Sequence, residues 1–123
     1  KNNGGFIQMV TDLALDPSKS ISVDASEYDG IELEVLCRHE PREFNIHLRT
    51  PGTLTQASYR CTCNVAEEDK WQTIRVPFSS FESSESELPP LDPSVLRRIG
   101  IVAIGREMDV YLAIARVKFY VVI

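Results

Sequence analysis

Phe44-Asn45-Ile46-His47-Leu48-Arg49, Ala57-Ser58-Tyr59-Arg60-Cys61-Thr62-Cys63 and Thr73-Ile74-Arg75-Val76-Pro77-Phe78 follow one another between Glu43 and Phe81, and each sets an apolar residue at every second position. Successive side chains of an extended chain point to opposite faces, so a period of two marks half-buried β-strands. One face of each strand then belongs to a core. The other carries Asn45, His47 and Arg49, then Ser58, Arg60 and Thr62, then Thr73 and Arg75 with Trp71 just ahead of them.

The same pattern extends outward from this stretch. Ile31, Leu33, Val35 and Cys37 alternate with Glu32 and Glu34, and the turn Glu27-Tyr28-Asp29-Gly30 leads into them. Gly4 to Val10 and Ser20 to Val23 read as earlier strands, separated by the turn signal Asp16-Pro17-Ser18. Pro51-Gly52 closes one central strand and the acidic run Ala66–Asp69 closes the next. Pro77 cannot donate to a ladder, so its strand ends there or lies at a sheet edge. Ser79 to Pro90, rich in serine and glutamate, reads as a surface loop. Asp92-Pro93-Ser94 has a helix-start signature, but Ile99-Gly100-Ile101-Val102-Ala103-Ile104 returns so soon to a strand that only a turn of helix fits. Val110 to Val122 is the last strand. Short strands joined by turns, without strand–helix alternation, predict an all-β antiparallel β-sandwich of jelly-roll type, with residues 1–123 as one domain.

Composition removes several function classes. The 123 residues carry a formal charge of −5 and a pI near 5.0, which argues against a nucleic-acid surface. No apolar run approaches the roughly 20 residues that cross a bilayer, so the chain is expected not to span a membrane. Three cysteines make no disulfide framework, and there is no Asn-x-Ser/Thr acceptor. Both observations favour a reducing, intracellular compartment.

No catalytic constellation, metal site or cofactor motif emerges. Cys61-x-Cys63 stands with only Cys37 elsewhere, short of the four ligands of a zinc site, and all three fall on the inward phase. His39 and His47 lack a nucleophile or ligand set and read as exposed and idle. Glu32 and Glu34 read as the solvated phase of their strand. Gly100 and Gly105 flank a strand rather than opening a helix, so they form no phosphate loop. Glu82, Glu85 and Glu87 read as a solvated acidic loop, and Tyr120-Val121-Val122-Ile123 as a last core strand or an edge that meets another part of a larger protein. The candidate binding surface is therefore the polar face itself: Asn45, His47, Arg49, Arg60, Trp71, Thr73 and Arg75, if their strands share one sheet. Arginine forks bind carboxylates bidentately and an aromatic face stacks on a ring. An antiparallel sandwich has a wet face in any case, so the same residues also fit a plain solvated surface.

The order of motifs has a further implication. Asn3-Gly4-Gly5-Phe6, Tyr28-Asp29-Gly30-Ile31, Asn45 to Thr50, Trp71 to Phe78 with Phe81, Pro90-Leu91-Asp92-Pro93, Ile99-Gly100-Ile101 and Phe119-Tyr120 together resemble the complex I intermediate-associated protein family over nearly the whole chain. The resemblance implies a galactose-binding-like β-sandwich. It also implies a non-catalytic module that holds a protein partner during assembly of respiratory NADH dehydrogenase, in a bacterial cytoplasm or inside a mitochondrion or chloroplast. Family members usually carry a segment ahead of the Asn-Gly-Gly-Phe element, so an N-terminal strand is expected to be missing here. Two other functions fit the residues: a carbohydrate-binding sandwich using Trp71, Arg49 and Arg75, and an accessory domain inserted in a dehydrogenase-like protein.

Overall fold

The computed structural model describes residues 6–12, 22–38, 43–51, 58–85, 88–104 and 112–122, with 6–12 and 104 as backbone. Eight strands occur among them: β1 Phe6–Asp12, β2 Gly30–Cys37, β3 Glu43–Arg49, β4 Tyr59–Asn64, β5 Gln72–Pro77, β6 Glu82–Ser83, β7 Arg98–Ile104 and β8 Leu112–Tyr120. They form two antiparallel sheets, one in the order β1-β7-β3-β4-β6 and the other in the order β5-β2-β8. The chain is an all-β sandwich of galactose-binding-like jelly-roll type.

Burial follows the period of two in β3, β4 and β5, whereas β2 is buried along nearly its whole length and β8 is exposed from Ala115 to Lys118. Phe44, Ile46 and Leu48 of β3 face Ile31, Leu33, Val35 and Cys37 of β2, and each of these seven side chains is at most 2% exposed. Tyr59 and Cys63 from β4, and Ile99, Ile101 and Ala103 from β7, complete the layer between the sheets. A fully buried aliphatic side chain contributes about 1.5–3 kcal/mol relative to an exposed one, so the core is what registers the strands.

Other elements show where local chemistry prevails. Asp92 caps a 3₁₀ turn at Pro93–Val95 by accepting from the Ser94 amide at 3.0 Å, as its position before proline implies. Pro77 ends β5, which is an edge strand. The expected strand at Ser20–Val23 is reduced, within the described residues, to a bridge between Val23 and Leu96, because Leu96 offers only one residue before the chain turns into β7. Ser20 and Ile21 lie outside the described residues, as do His39, Glu87 and the whole 105–111 connection, Gly105 included. The Ser79–Pro90 segment is more structured than its composition suggests. Phe78 and Phe81 are buried and anchor a 3₁₀ turn at Phe78–Ser80, after which β6 pairs with Tyr59 and Arg60.

The largest departure concerns β5. Its neighbours in sequence, β4 and β6, belong to the five-stranded sheet, but β5 pairs with β2 in the other layer. The crossing is held by Gln72, whose side-chain oxygen accepts from the amides of Ala66 and Glu67 at 3.0 and 3.2 Å. Its amide nitrogen donates to the carbonyls of Glu67 and Lys70 at 2.8 and 3.1 Å. Asp69 takes a positive φ of 57° in the same turn and donates its amide to the Cys37 carbonyl at 2.8 Å. The acidic run is thus a crossover between layers rather than a hairpin.

Candidate functional site

The outward face of the five-stranded sheet collects the polar phases of three strands. Asn45, His47 and Arg49 come from β3, Arg60 and Thr62 from β4, and Arg98 from β7. Cross-strand register sets Arg60 beside His47, Thr62 beside Asn45, and Arg98 beside Arg49. The Thr62 hydroxyl donates to the Asn45 side-chain oxygen at 2.6 Å. Such side-by-side polar pairs are the ordinary unit of sheet stabilisation, and here they also fix the donors' directions.

Where β6 stops after two residues, the face opens into a cleft of about 340 Å³ lined by Asn45, Arg60, Cys61, Thr62, Ser80 and Glu82. Arg60 and Thr62 are exposed, whereas Asn45 is half-buried. His47 is also half-buried rather than exposed, as its strand position alone suggested. Its Nδ1 lies 3.4 Å from the Ser58 hydroxyl. Burial lowers its pKa first, and the charges of Arg49 and Arg60 push it further in the same direction. The ring is therefore neutral at neutral pH, and an approaching carboxylate would draw a proton onto it.

Trp71, Thr73 and Arg75 are not on this face. They take the outward phase at the start of β5 and along it, in the three-stranded sheet, so they point away from Arg49 and Arg60 across the full thickness of the sandwich. The single seven-residue surface expected from the period is corrected to two surfaces, because alternation determines which side of a sheet a residue takes but not which sheet its strand joins. Arg75 is also committed elsewhere. Its Nε donates to Glu32 at 2.8 Å, and its guanidinium carbon stands 5.0 Å from the centre of the Tyr120 ring. Lys118 pairs with the same carboxylate at 3.3 Å, and Arg116 pairs with Glu34 at 3.3 Å. The Glu32 side chain is only 10% exposed, so it is a partly buried ion-pair centre and not the solvated residue its phase suggested. The Arg75 hydrogen bond holds its carboxyl below the usual range, with burial opposing and Lys118 assisting.

The cysteines remain free thiols. Cys37 and Cys63 are buried, while Cys61 is half-buried and lines the cleft, a departure from full burial that follows from the pairing of β6 with β4 only at Tyr59 and Arg60. Burial pushes the Cys63 thiol up to about 12, and burial also raises Cys61. Thiols in this state are poor nucleophiles. Among the described residues no three His, Cys, Asp or Glu side chains converge to hold a metal ion. No helix among them is long and apolar enough to cross a membrane.

The family model described as complex I intermediate-associated protein 30 (CIA30) matches residues 1–114. The chain belongs to this family. Curated protein sequences gave no match. Among solved structures the CIA30 chain is similar to the Family 11 carbohydrate-binding module from Clostridium thermocellum in complex with a β-1,3-1,4-mixed-linked tetrasaccharide. That similarity has a TM-score of 0.61 at 13% identity, over 97% of this chain and 89% of the module. It is also similar to the Family 11 module of the cellulosomal cellulase Lic26A-Cel5E of the same organism, with a TM-score of 0.61 at 17% identity, over 95% of this chain and 68% of the other. At these identities the likeness establishes the fold alone. Among the described outward residues of the five-stranded sheet in this CIA30 domain, His47 supplies the one ring; Trp71, 49% exposed, stands on the opposite layer.

Proposed function

We propose that this CIA30 domain is a non-catalytic protein-binding module that assists assembly of a respiratory NADH dehydrogenase, in a bacterial cytoplasm or an organelle interior. It holds its partner on the outward face of the five-stranded sheet. Arg49 and Arg60 receive carboxylates there, while Asn45, His47 and Thr62 orient the segment through hydrogen bonds. The observation that carries this reading is the cleft at the end of β6, where Arg60, Asn45 and Thr62 converge beside a neutral His47. Glu82 on the rim suits a donor, such as a backbone amide, next to the partner's carboxylate. Family membership supports the assembly role.

Trp71, Thr73 and Arg75 do not join this site. A role for them would be a separate contact on the three-stranded sheet.

Deleting the gene in the native cell should stall NADH dehydrogenase at an intermediate visible on native gels. The parent protein should rescue assembly, and a folded Arg49→Glu/Arg60→Glu variant should not. Normal assembly in the deletion strain would refute the reading.

A carbohydrate-binding reading is second, favoured by the fold shared with a tetrasaccharide-bound module. It is weaker because a sugar platform uses stacked aromatic rings, and Trp71 lies on the other sheet from Arg49. Calorimetric titration with a mixed-linked β-1,3-1,4-tetrasaccharide separates the two. Saturable binding lost in Arg60→Ala would displace the protein-partner reading.

A further inference from the structure

The three-stranded sheet is built as a charge and hydrophobicity checkerboard, and its pattern stops one strand short at β8. On the outward side one cross-strand row reads Arg75, Glu32, Lys118, with salt bridges of 2.8 and 3.3 Å. The next row reads Thr73, Glu34, Arg116, with the last pair 3.3 Å apart. On the inward side the rows read Val76, Ile31, Phe119 and Ile74, Leu33, Val117. Both outward rows end on a cation, and both inward rows end on an apolar residue.

β8 is the last strand of this sheet among the described residues. Val117 takes the core phase opposite fully buried Leu33, yet it is 43% exposed. Tyr28 and, just past the end of β8, Val121 and Val122 are exposed apolar side chains too, at 42%, 48% and 65%. The Tyr28 ring packs against Phe119 with centroids 5.5 Å apart, which sets it against β8. The Arg116 and Lys118 side chains are 59% and 51% exposed, which leaves their remaining donors free to bridge to a second carboxylate, as Glu32 itself bridges two cations. The bulge that skips Ala115 confines the regular edge to Arg116–Tyr120. The opposite edge, β5, ends in Pro77, and among the described residues its one large exposed apolar side chain is Trp71, just ahead of its first residue.

We propose that the Arg116–Tyr120 edge of β8 accepts an extended strand of a partner polypeptide whose residues alternate acidic and apolar side chains. Its carboxylates fall opposite Arg116 and Lys118, and its apolar side chains cover Val117 and Phe119 on the inward side. The incoming strand thereby repeats the role of β2, whose Ile31-Glu32-Leu33-Glu34-Val35 has this pattern and already pairs with the other side of β8. A second copy of the chain is a poor occupant. Antiparallel pairing of two β8 strands about Val117 would set each Arg116 beside the other copy's Lys118, a like-charge contact.

The probe is a capped, fluorescein-labelled heptapeptide copying Gly30–Leu36, titrated into the intact protein by fluorescence anisotropy. Saturable binding is expected, with hydrogen-exchange protection added in β8. A peptide carrying Glu32→Lys and Glu34→Lys should bind about tenfold more weakly, and so should the protein variant Val117→Lys, whose partly exposed position preserves the fold. Unchanged thermal unfolding of that variant checks its folding. No saturable binding, equal binding of both peptides, or protection confined to another strand would each overturn the proposal. Concentration-dependent dimerisation that protects β8 would also overturn it, by assigning the edge to a second copy.

Discussion

Adding a single methyl group at Gly30 tests whether the outward face of the three-stranded sheet is a packed structural layer. Gly30 pairs with Pro77 on one side and Tyr120 on the other. A Cβ built there would overlap the Val76 carbonyl oxygen and would lie 2.8 Å from both the Pro77 Cα and a Tyr120 ring carbon. Two of these three neighbours are backbone and cannot swing aside. Tyr120 is 7% exposed and carries the Arg75 guanidinium over its ring, so its displacement also disturbs Arg75 and Glu32. Overpacking of this kind costs about 2 kcal/mol, and the stiffer unfolded chain returns about 0.4–1 kcal/mol. The net loss for Gly30→Ala is then about 1–2 kcal/mol. For a chain of this size that lowers Tm by roughly 4–8 °C, read by circular dichroism at pH 7. A variant that melts with the parent would refute the claim that Tyr120 and Arg75 form a fixed layer over Gly30.

Three further outcomes follow from the same geometry. Leu33→Ala empties a fully buried position between the sheets and should cost about 2–5 kcal/mol in chemical unfolding, whereas Arg60→Ala should stay within about 0.5 kcal/mol of the parent. His47 has a folded pKa below its ordinary value of 6.5, so the stability it contributes is complete above that value and is lost as pH falls through the folded pKa; His47→Gln should flatten this part of the unfolding pH profile. Glu32 is also depressed, from 4.5, so its contribution is present above that pH and disappears on further acidification, and a Glu32→Gln variant should lose this acid limb.

The faces of the strands are legible in the sequence because a buried sheet face demands an apolar residue at every second position. Phe44, Ile46, Leu48 and Ile31 through Cys37 therefore announce their own burial. The Asp92 cap and the Pro77 edge are legible for equally local reasons. Sheet membership is not, since Arg75 in β5 has the same alternation it would have beside β4. The decisive contacts, Gln72 with the 66–70 backbone, are made by a residue type that solvates equally well on any surface. Glu32 looks like a solvated strand carboxylate until Arg75 and Lys118 arrive from 43 and 86 positions later in the chain. The candidate site is accordingly half legible: Asn45, His47, Arg49 and Arg60 come together as their phases imply, and Thr62 belongs with them. Glu82 and Ser80 enter the cleft only because buried Phe78 and Phe81 pull the following segment onto β4. Two aromatic residues spaced three apart in a serine-rich stretch were the available signal.

Site-specific photocrosslinking in the native cell most directly tests the claim that the five-stranded face holds the partner. The crosslinker replaces Thr62, exposed at the cleft, or Thr73, exposed on the opposite sheet. A subunit of an NADH dehydrogenase assembly intermediate captured from position 62, and lost when Arg49 and Arg60 are reversed to glutamate, is the expected result. Capture from position 73 with none from position 62 would contradict the account.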